Sequence, residues 1–177
     1  MAKISKNNLE NTVLLVRTAL PLKQHFPERV KWFAASICSL KMDLWVIIDD
    51  SQFESSTEKA KKALGDGIRN VRCATVNKND FFRIYKKQNF GCCPDNPLYC
   101  YHAEAVNVWY SKYVESSEHF KQKYRYFWFW EDDLAFSGDV SKFFEFYADS
   151  EADLIAINYE TCDVINFLSN LDFRGKI

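Results

Sequence analysis

Short runs of apolar residues alternate along the chain with segments in which apolar residues recur every three or four positions. The runs are typical of buried strands, and the periodic segments are typical of amphipathic helices. The predicted strands, in chain order, are Thr12–Arg17, Leu44–Ile48, Val71–Val76, Tyr126–Trp130 and Asp153–Asn158. Predicted helices lie between them, including Glu28–Leu40, Asp80–Lys87 and a helix capped by Asp139.

This alternation of strands and helices predicts an α/β fold, with an open, mostly parallel, Rossmann-like sheet flanked by helices. Because crossover helices make neighbouring strands parallel, ligands in such folds bind beyond the carboxyl ends of the strands. Tyr126–Trp130 consists of five consecutive aromatic residues, which predicts a strand covered on both faces at the centre of the sheet. The length of 177 residues fits a single domain.

Composition and charge exclude several classes of protein. Lys and Arg total 23 against 24 Asp and Glu, so the basic surplus expected of a nucleic-acid-binding domain is missing. No apolar run approaches the roughly 20 residues that a membrane helix requires, so we expect no membrane span. The first residues are polar and unlike a signal peptide, which favours a cytoplasmic location. Loss of an N-terminal anchor would instead place the protein in the Golgi or ER lumen.

The second and fourth predicted strands end directly in acidic residues. These are Asp49 and Asp50 after the second strand and Glu131, Asp132 and Asp133 after the fourth. If the strands are parallel, both clusters reach the same edge of the sheet, where repulsion between carboxylates calls for a cation. Carboxylate oxygens suit Mg²⁺ or Mn²⁺, which keep coordination positions open for water or substrate phosphates. For the Asp49-Asp50 pair, ordinary turn formation is the alternative.

The segment that contains the second acidic cluster, together with three other segments, resembles a known family. The stretch Tyr126–Gly138 (YFWFWEDDLAFSG) resembles the acidic motif region of nucleotide-sugar-dependent glycosyltransferases of the GT-A fold. Val13–Thr18 resembles the first strand and following loop of that fold, Leu44–Asp50 its second strand, and His102–Asn107 the helix before the motif. The resemblance implies one GT-A-like domain over residues 1–177 and a metal-dependent glycosyltransferase. Such an enzyme moves a sugar from a nucleoside diphosphate sugar, with UDP sugars the expected class, to an acceptor hydroxyl.

The resemblance also implies roles for individual residues. The resemblance implies that Asp133 and Glu131 coordinate Mn²⁺ or Mg²⁺, with a ribose contact as the alternative for Glu131. Nucleotide-sugar contacts are implied for Arg17, Thr18, Asp49, Asp50, His102 and Asp132. For His102, a capping or core histidine is the alternative. A catalytic base is expected beyond the acidic motif, where Glu160 and Asp163 are the available candidates.

Two other functions are compatible with the sequence. The first is a nucleotidyltransferase or another phosphate enzyme with clustered acids, although the sequence contains neither a P-loop motif nor a glycine-rich dinucleotide motif. The second is a non-catalytic nucleotide-sugar-binding domain, because only 44 residues follow Asp133. That ending predicts either a chain shortened before its acceptor half or an unusually small enzyme. The acceptor, whether saccharide, protein or lipid, is left open.

Overall fold

Four parallel strands form a single sheet in the computed structural model, which describes residues 6–49, 57–86, 102–134 and 136–150. The strands are β1 (Thr12–Ala19), β2 (Asp43–Asp49), β3 (Val71–Val76) and β4 (Tyr126–Glu131), in the spatial order β3-β2-β1-β4. The predicted α/β fold with an open, parallel, Rossmann-like sheet is therefore confirmed. The predicted strand Asp153–Asn158 lies outside the described residues.

Six α-helices flank this sheet within the described ranges. They are α1 (Phe26–Cys38), α2 (Thr57–Leu64), α3 (Lys78–Tyr85), α4 (His102–Trp109), α5 (Glu118–Lys123) and α6 (Val140–Tyr147). A 3₁₀ turn at Lys6–Asn11 precedes β1, and a π-helical turn at Tyr110–Val114 continues α4. Asp139 caps α6 as predicted, because its carboxylate accepts a hydrogen bond of 3.0 Å from the backbone N–H of Ser141. No helix in the described ranges has the length and apolar character needed to cross a bilayer.

The two central strands are buried along almost their whole length. All seven residues of β2 are buried, and only the last residue of β1 is partly exposed. Each of these strands has a neighbour on both sides and helices on both faces, which is why their sequences are nearly continuous hydrophobic runs. On the first face, Leu14 and Val16 pack with Phe33 of α1, whereas on the second face Val13 and Leu15 pack in a cluster with residues of α4.

The order in which the chain adds strands to the sheet reverses at β1: β2 and β3 lie on one side of β1, and β4 lies on the other side. The connections from β1 to β2 and from β2 to β3 pass over the first face, where α1 and α2 pack. The return to β4, on the far side of β1, passes over the second face, where α3 and α4 pack. Right-handed crossovers require this change of face. The carboxyl ends of β1 and β4 therefore flank the point where ligands bind in open α/β sheets.

The position of β4 differs from the prediction. Among the described strands it lies at one edge of the sheet and not at the centre. Tyr126 is 46% exposed and Phe127 is 37% exposed, whereas Trp130 is buried against Phe33 and Phe144. Large rings reach the flanking helices from an edge strand as well as from a central one. A run of aromatic residues therefore indicates contact with helices, and it does not fix the position of the strand in the sheet.

Candidate functional site

The carboxyl ends of β1, β2 and β4 bring Asp49 and the second acidic cluster to one edge of the sheet. In the strand register, Arg17 of β1 lies beside Glu131 of β4, and Ala19 of β1 lies beside Asp49 of β2. Asp132 and Asp133 follow Glu131 directly in a turn. Asp49 and the second cluster thus share an edge, as the parallel arrangement predicted, and that edge includes the reversal point between β1 and β4.

Arg17 provides a positive charge among these carboxylates. The residue is only 9% exposed, and its Nη2 lies 3.7 Å from Oε1 of Glu131. Burial lowers the pKa of the guanidinium, while the negative charges of both acidic clusters, with Glu131 the strongest, act to raise it. The protein therefore supplies a cation of its own at the place where carboxylate repulsion called for one. Arg17 is among the residues predicted to contact the nucleotide.

Asp132 faces the loop that follows β1. Its Oδ2 accepts a hydrogen bond of 2.9 Å from the Thr18 hydroxyl, and its Oδ1 pairs with the Lys23 ammonium at 2.6 Å. The hydrogen bond to Asp132 raises the pKa of the Lys23 ammonium. Both carboxylate oxygens of Asp132 are therefore engaged by side chains of the chain itself. Thr18 is among the predicted cleft residues, whereas the sequence analysis missed Lys23, because a lysine in a polar loop gives no periodic signal.

Arg29 of α1 holds the backbone of the acidic turn. Its Nη1 donates to the carbonyl oxygen of Asp132 at 2.6 Å and to that of Leu134 at 3.2 Å. The sequence analysis missed Arg29, because it occupies a polar position between the apolar positions of α1, where an arginine ordinarily faces solvent. Only the pairing of β4 with β1 brings the turn against α1, so no local pattern could have identified the contact.

Glu131 and Asp133, on either side of Asp132, differ from it in being accessible. The Glu131 side chain is 44% exposed and Asp133 is exposed. In the described ranges no group of three or more His, Cys, Asp or Glu side chains is arranged to hold a metal ion. Magnesium, however, is commonly held by one or two carboxylates, with substrate phosphates and water completing its shell. Within the described ranges, the acidic turn therefore presents two accessible carboxylates, those of Glu131 and Asp133.

The remaining predicted site residues are divided between the described and undescribed parts of the chain. Asp49 is buried at the end of β2, 5% exposed, and contributes to the negative charge around Arg17. His102 is the first residue of α4, but its side chain lies outside the described part. Asp50 and the two candidate bases Glu160 and Asp163 also lie outside it. The roles of these residues stay predictions.

Comparison of the chain with protein-family models, with curated proteins and with solved structures finds no match. What is established is therefore the fold, an α/β structure with a four-strand parallel sheet. Because one fold supports many unrelated activities, the function has to be argued from the geometry and charge of the site itself.

Proposed function

We propose that this chain is a metal-dependent glycosyltransferase of the GT-A fold, which transfers a sugar from a nucleoside diphosphate sugar to an acceptor hydroxyl. A UDP sugar is the expected donor class. The observation that supports this most strongly is the position of the accessible carboxylates of Glu131 and Asp133. They follow β4 at its junction with β1, where the strand order reverses, and nucleotides bind at such reversal points in open α/β sheets.

The different surroundings of the three acids support a division of roles. Asp132 is held by Thr18 and Lys23 on one side of the turn, and Arg29 holds its carbonyl oxygen. These contacts hold Asp132 and the backbone of the turn, whereas Asp133 is exposed. We therefore assign Asp132 to positioning the turn, and its two neighbours to holding a divalent ion.

The positive charges at this edge suit the other half of the ligand. Arg17 lies beside Glu131, and Lys23 lies beside Asp132 with its side chain 59% exposed. A diphosphate that approaches the edge would contact the exposed Lys23 and would lie near the charge of the buried Arg17, as well as near an ion held by carboxylates. Such a mixed environment offsets the repulsion between phosphates and carboxylates, which would otherwise oppose binding.

The chemistry follows from the charge that the reaction creates. Cleavage of the sugar–phosphate bond leaves additional negative charge on the departing diphosphate, and groups fixed in advance around that charge lower the barrier. Glu131 and Asp133 would hold a divalent ion, which would supply Lewis-acid stabilisation of that charge. Arg17 adds a fixed positive charge within the sheet edge, and Lys23 and Arg29 keep the acidic turn in place. Deprotonation of the acceptor hydroxyl stays assigned to Glu160 or Asp163 by prediction.

Calorimetric titration of the full chain with UDP, with and without Mn²⁺, tests this proposal. We expect Mn²⁺ to increase the affinity for UDP, and Asp133→Asn to remove that increase, because the amide oxygen is a weaker ligand for a hard cation. Asp149→Asn is the matched control, since Asp149 is also an exposed aspartate but follows α6. Both variants should unfold at the wild-type urea midpoint, because exposed substitutions usually change stability by less than about 0.5 kcal/mol.

A second assay separates glycosyl transfer from the alternatives. Incubation with a panel of nucleotide sugars and Mn²⁺ should release free sugar slowly, because water can replace a missing acceptor. Release of pyrophosphate from a nucleoside triphosphate would indicate a nucleotidyltransferase, and tight UDP binding without turnover would indicate a binding domain. Failure of UDP to bind in the presence of Mn²⁺ would refute the nucleotide site itself.

A further inference from the structure

A groove of about 360 Å³ lies beside the acidic turn, on the first face of the sheet. It is lined by Glu28, Arg29, Trp32, Phe33 and Phe136. Four of these residues belong to α1, where Glu28 and Trp32, and likewise Arg29 and Phe33, are one helical turn apart and share a side of the helix. The groove therefore lies between α1 and the segment that follows the acidic turn.

Two exposed side chains on the α1 side of the groove have different chemistry. Trp32 is 41% exposed, and Glu28 is also exposed. Among the residues that the structure describes, Glu28 makes no ion pair or hydrogen bond. An accessible indole thus lies one helical turn from a carboxylate that is available as a hydrogen-bond acceptor.

The floor of the groove is joined to the proposed transfer site. The Phe33 ring packs edge-on against Trp130 at 5.3 Å between centroids, and Phe136 stacks on Trp130 at 6.1 Å. Trp130 immediately precedes Glu131 in the sequence. Arg29, a lining residue, also binds the backbone of the acidic turn. A ligand in the groove would therefore lie next to the backbone of the acidic turn, whereas the Glu131 side chain, one residue after Trp130 in β4, lies toward the second face of the sheet.

We propose that this groove binds a saccharide, and that this saccharide is the acceptor of the transferred sugar. The inference rests on the proposed function for its second part only. The apolar C–H face of a pyranose ring can pack on the Trp32 indole, whose π face is electron-rich. The hydroxyls at the ring edge can donate to Glu28, so both exposed side chains find a partner in one ligand.

The other classes of acceptor fit the groove less well. A lipid chain would bury the Glu28 carboxylate without a hydrogen-bond donor, which is costly. A protein partner or a second copy would need about 20–30 residues on each side for a standard interface, whereas this groove has five lining residues. Its volume lies near the lower end of the range for small-molecule sites, which starts at about 300 Å³. A small polar ligand with an apolar face is the best match.

The test starts from an array of defined oligosaccharides, which is screened with the full chain in the presence of UDP and Mn²⁺. The dissociation constant of the oligosaccharide that binds most tightly is then measured by calorimetry for the wild type and for variants. We expect Trp32→Ala to weaken binding about tenfold, since a stacking contact contributes up to about 1.5 kcal/mol. Trp32→Phe should restore most of the affinity, and Glu28→Gln should weaken binding severalfold.

Ile68→Ala serves as the matched control, because Ile68 is a large apolar side chain that is 61% exposed elsewhere on the surface. This variant should bind the oligosaccharide like the wild type. Urea unfolding of each variant confirms that the fold is retained. Sedimentation analysis shows whether Trp32 instead mediates self-association.

Each outcome either supports or overturns the assignment of the groove to a saccharide. Loss of oligosaccharide binding in Trp32→Ala alone, with recovery in Trp32→Phe, supports the inference. The inference is overturned if no oligosaccharide binds, if Trp32→Ala and Ile68→Ala bind equally well, or if Trp32→Ala abolishes a dimer. UDP binding in the same samples separates the two proposals. If UDP binds but saccharides do not, only the groove assignment fails, and if saccharides bind through Trp32 but UDP does not, the transferase assignment fails.

Discussion

Replacement of Arg17 by Met removes the positive charge between the two acidic clusters and keeps an unbranched side chain of similar length. Arg17 is buried at the end of β1, and Glu131 lies 3.7 Å from its guanidinium. Asp49, Asp132 and Asp133 also contribute negative charge at this position. The substitution therefore leaves the carboxylates with one counter-charge fewer. We expect a folded but less stable protein.

The expected decrease in the free energy of unfolding follows from the exposure of Arg17 and Glu131. Removing one member of a fully buried ion pair costs roughly 3–5 kcal/mol, whereas an exposed pair contributes about 0–1 kcal/mol. Arg17 is nine-tenths buried but the Glu131 side chain is 44% exposed, so solvent screens the pair in part. An intermediate loss of about 2 kcal/mol at pH 7 is expected, because this pair lies between the two limits.

The assay is equilibrium unfolding in urea at pH 7 and at about pH 4. Urea is chosen because guanidinium chloride is a salt and would screen the charges being measured. In the variant, repulsion between ionised carboxylates favours proton uptake by the folded state over the unfolded chain. The stability of the variant relative to wild type therefore rises as the pH falls. Near pH 4, where carboxyl groups begin to protonate, the difference should shrink by about half.

Arg125→Met is the control, since Arg125 is an exposed arginine at the start of the segment leading into β4. It should stay within about 0.5 kcal/mol of the wild type at both pH values. The reasoning is refuted if Arg17→Met is as stable as this control at pH 7. If its loss of stability is the same at pH 4 and pH 7, the effect comes from packing, and Arg17 does not act as the counter-charge.

Two further predictions concern buried polar groups away from this edge. The Tyr124 hydroxyl donates to Asp43 at 2.5 Å and accepts from the Trp45 indole N–H at 2.9 Å. Tyr124→Phe leaves the buried indole N–H unpaired and should cost about 2 kcal/mol in urea unfolding; a loss below about 0.5 kcal/mol would contradict this. Burial raises the pKa of the Cys73 thiol to about 12, so iodoacetamide at pH 8, followed by peptide mapping, should label exposed Cys38 and spare Cys73. Equal labelling would show that Cys73 is accessible.

The elements of the fold were largely predictable because they depend on neighbouring residues. The prediction for β3 agrees with the structure at both ends, and α1 and α3 begin two residues before their predicted starts. The continuous apolar run of β2 predicted a strand buried on both faces, and all of its residues are buried. The position of β4 at the edge of the described strands was not predictable in the same way. A run of aromatic residues indicates burial against helices, but it does not indicate which strands lie beside it.

The sequence by itself determined the four described strands, the helices α1, α3 and α6, and the acidic residues at the ends of β2 and β4, since hydrophobic periodicity and strand ends are local properties. Tertiary structure alone decided what those acids touch. Thr18, Lys23 and Arg29 contact Asp132 across separations of 114, 109 and 103 residues. Such contacts depend on the placement of β4 beside β1, which no local pattern encodes. The exposure that distinguishes Glu131 and Asp133 from Asp132 follows from the same placement.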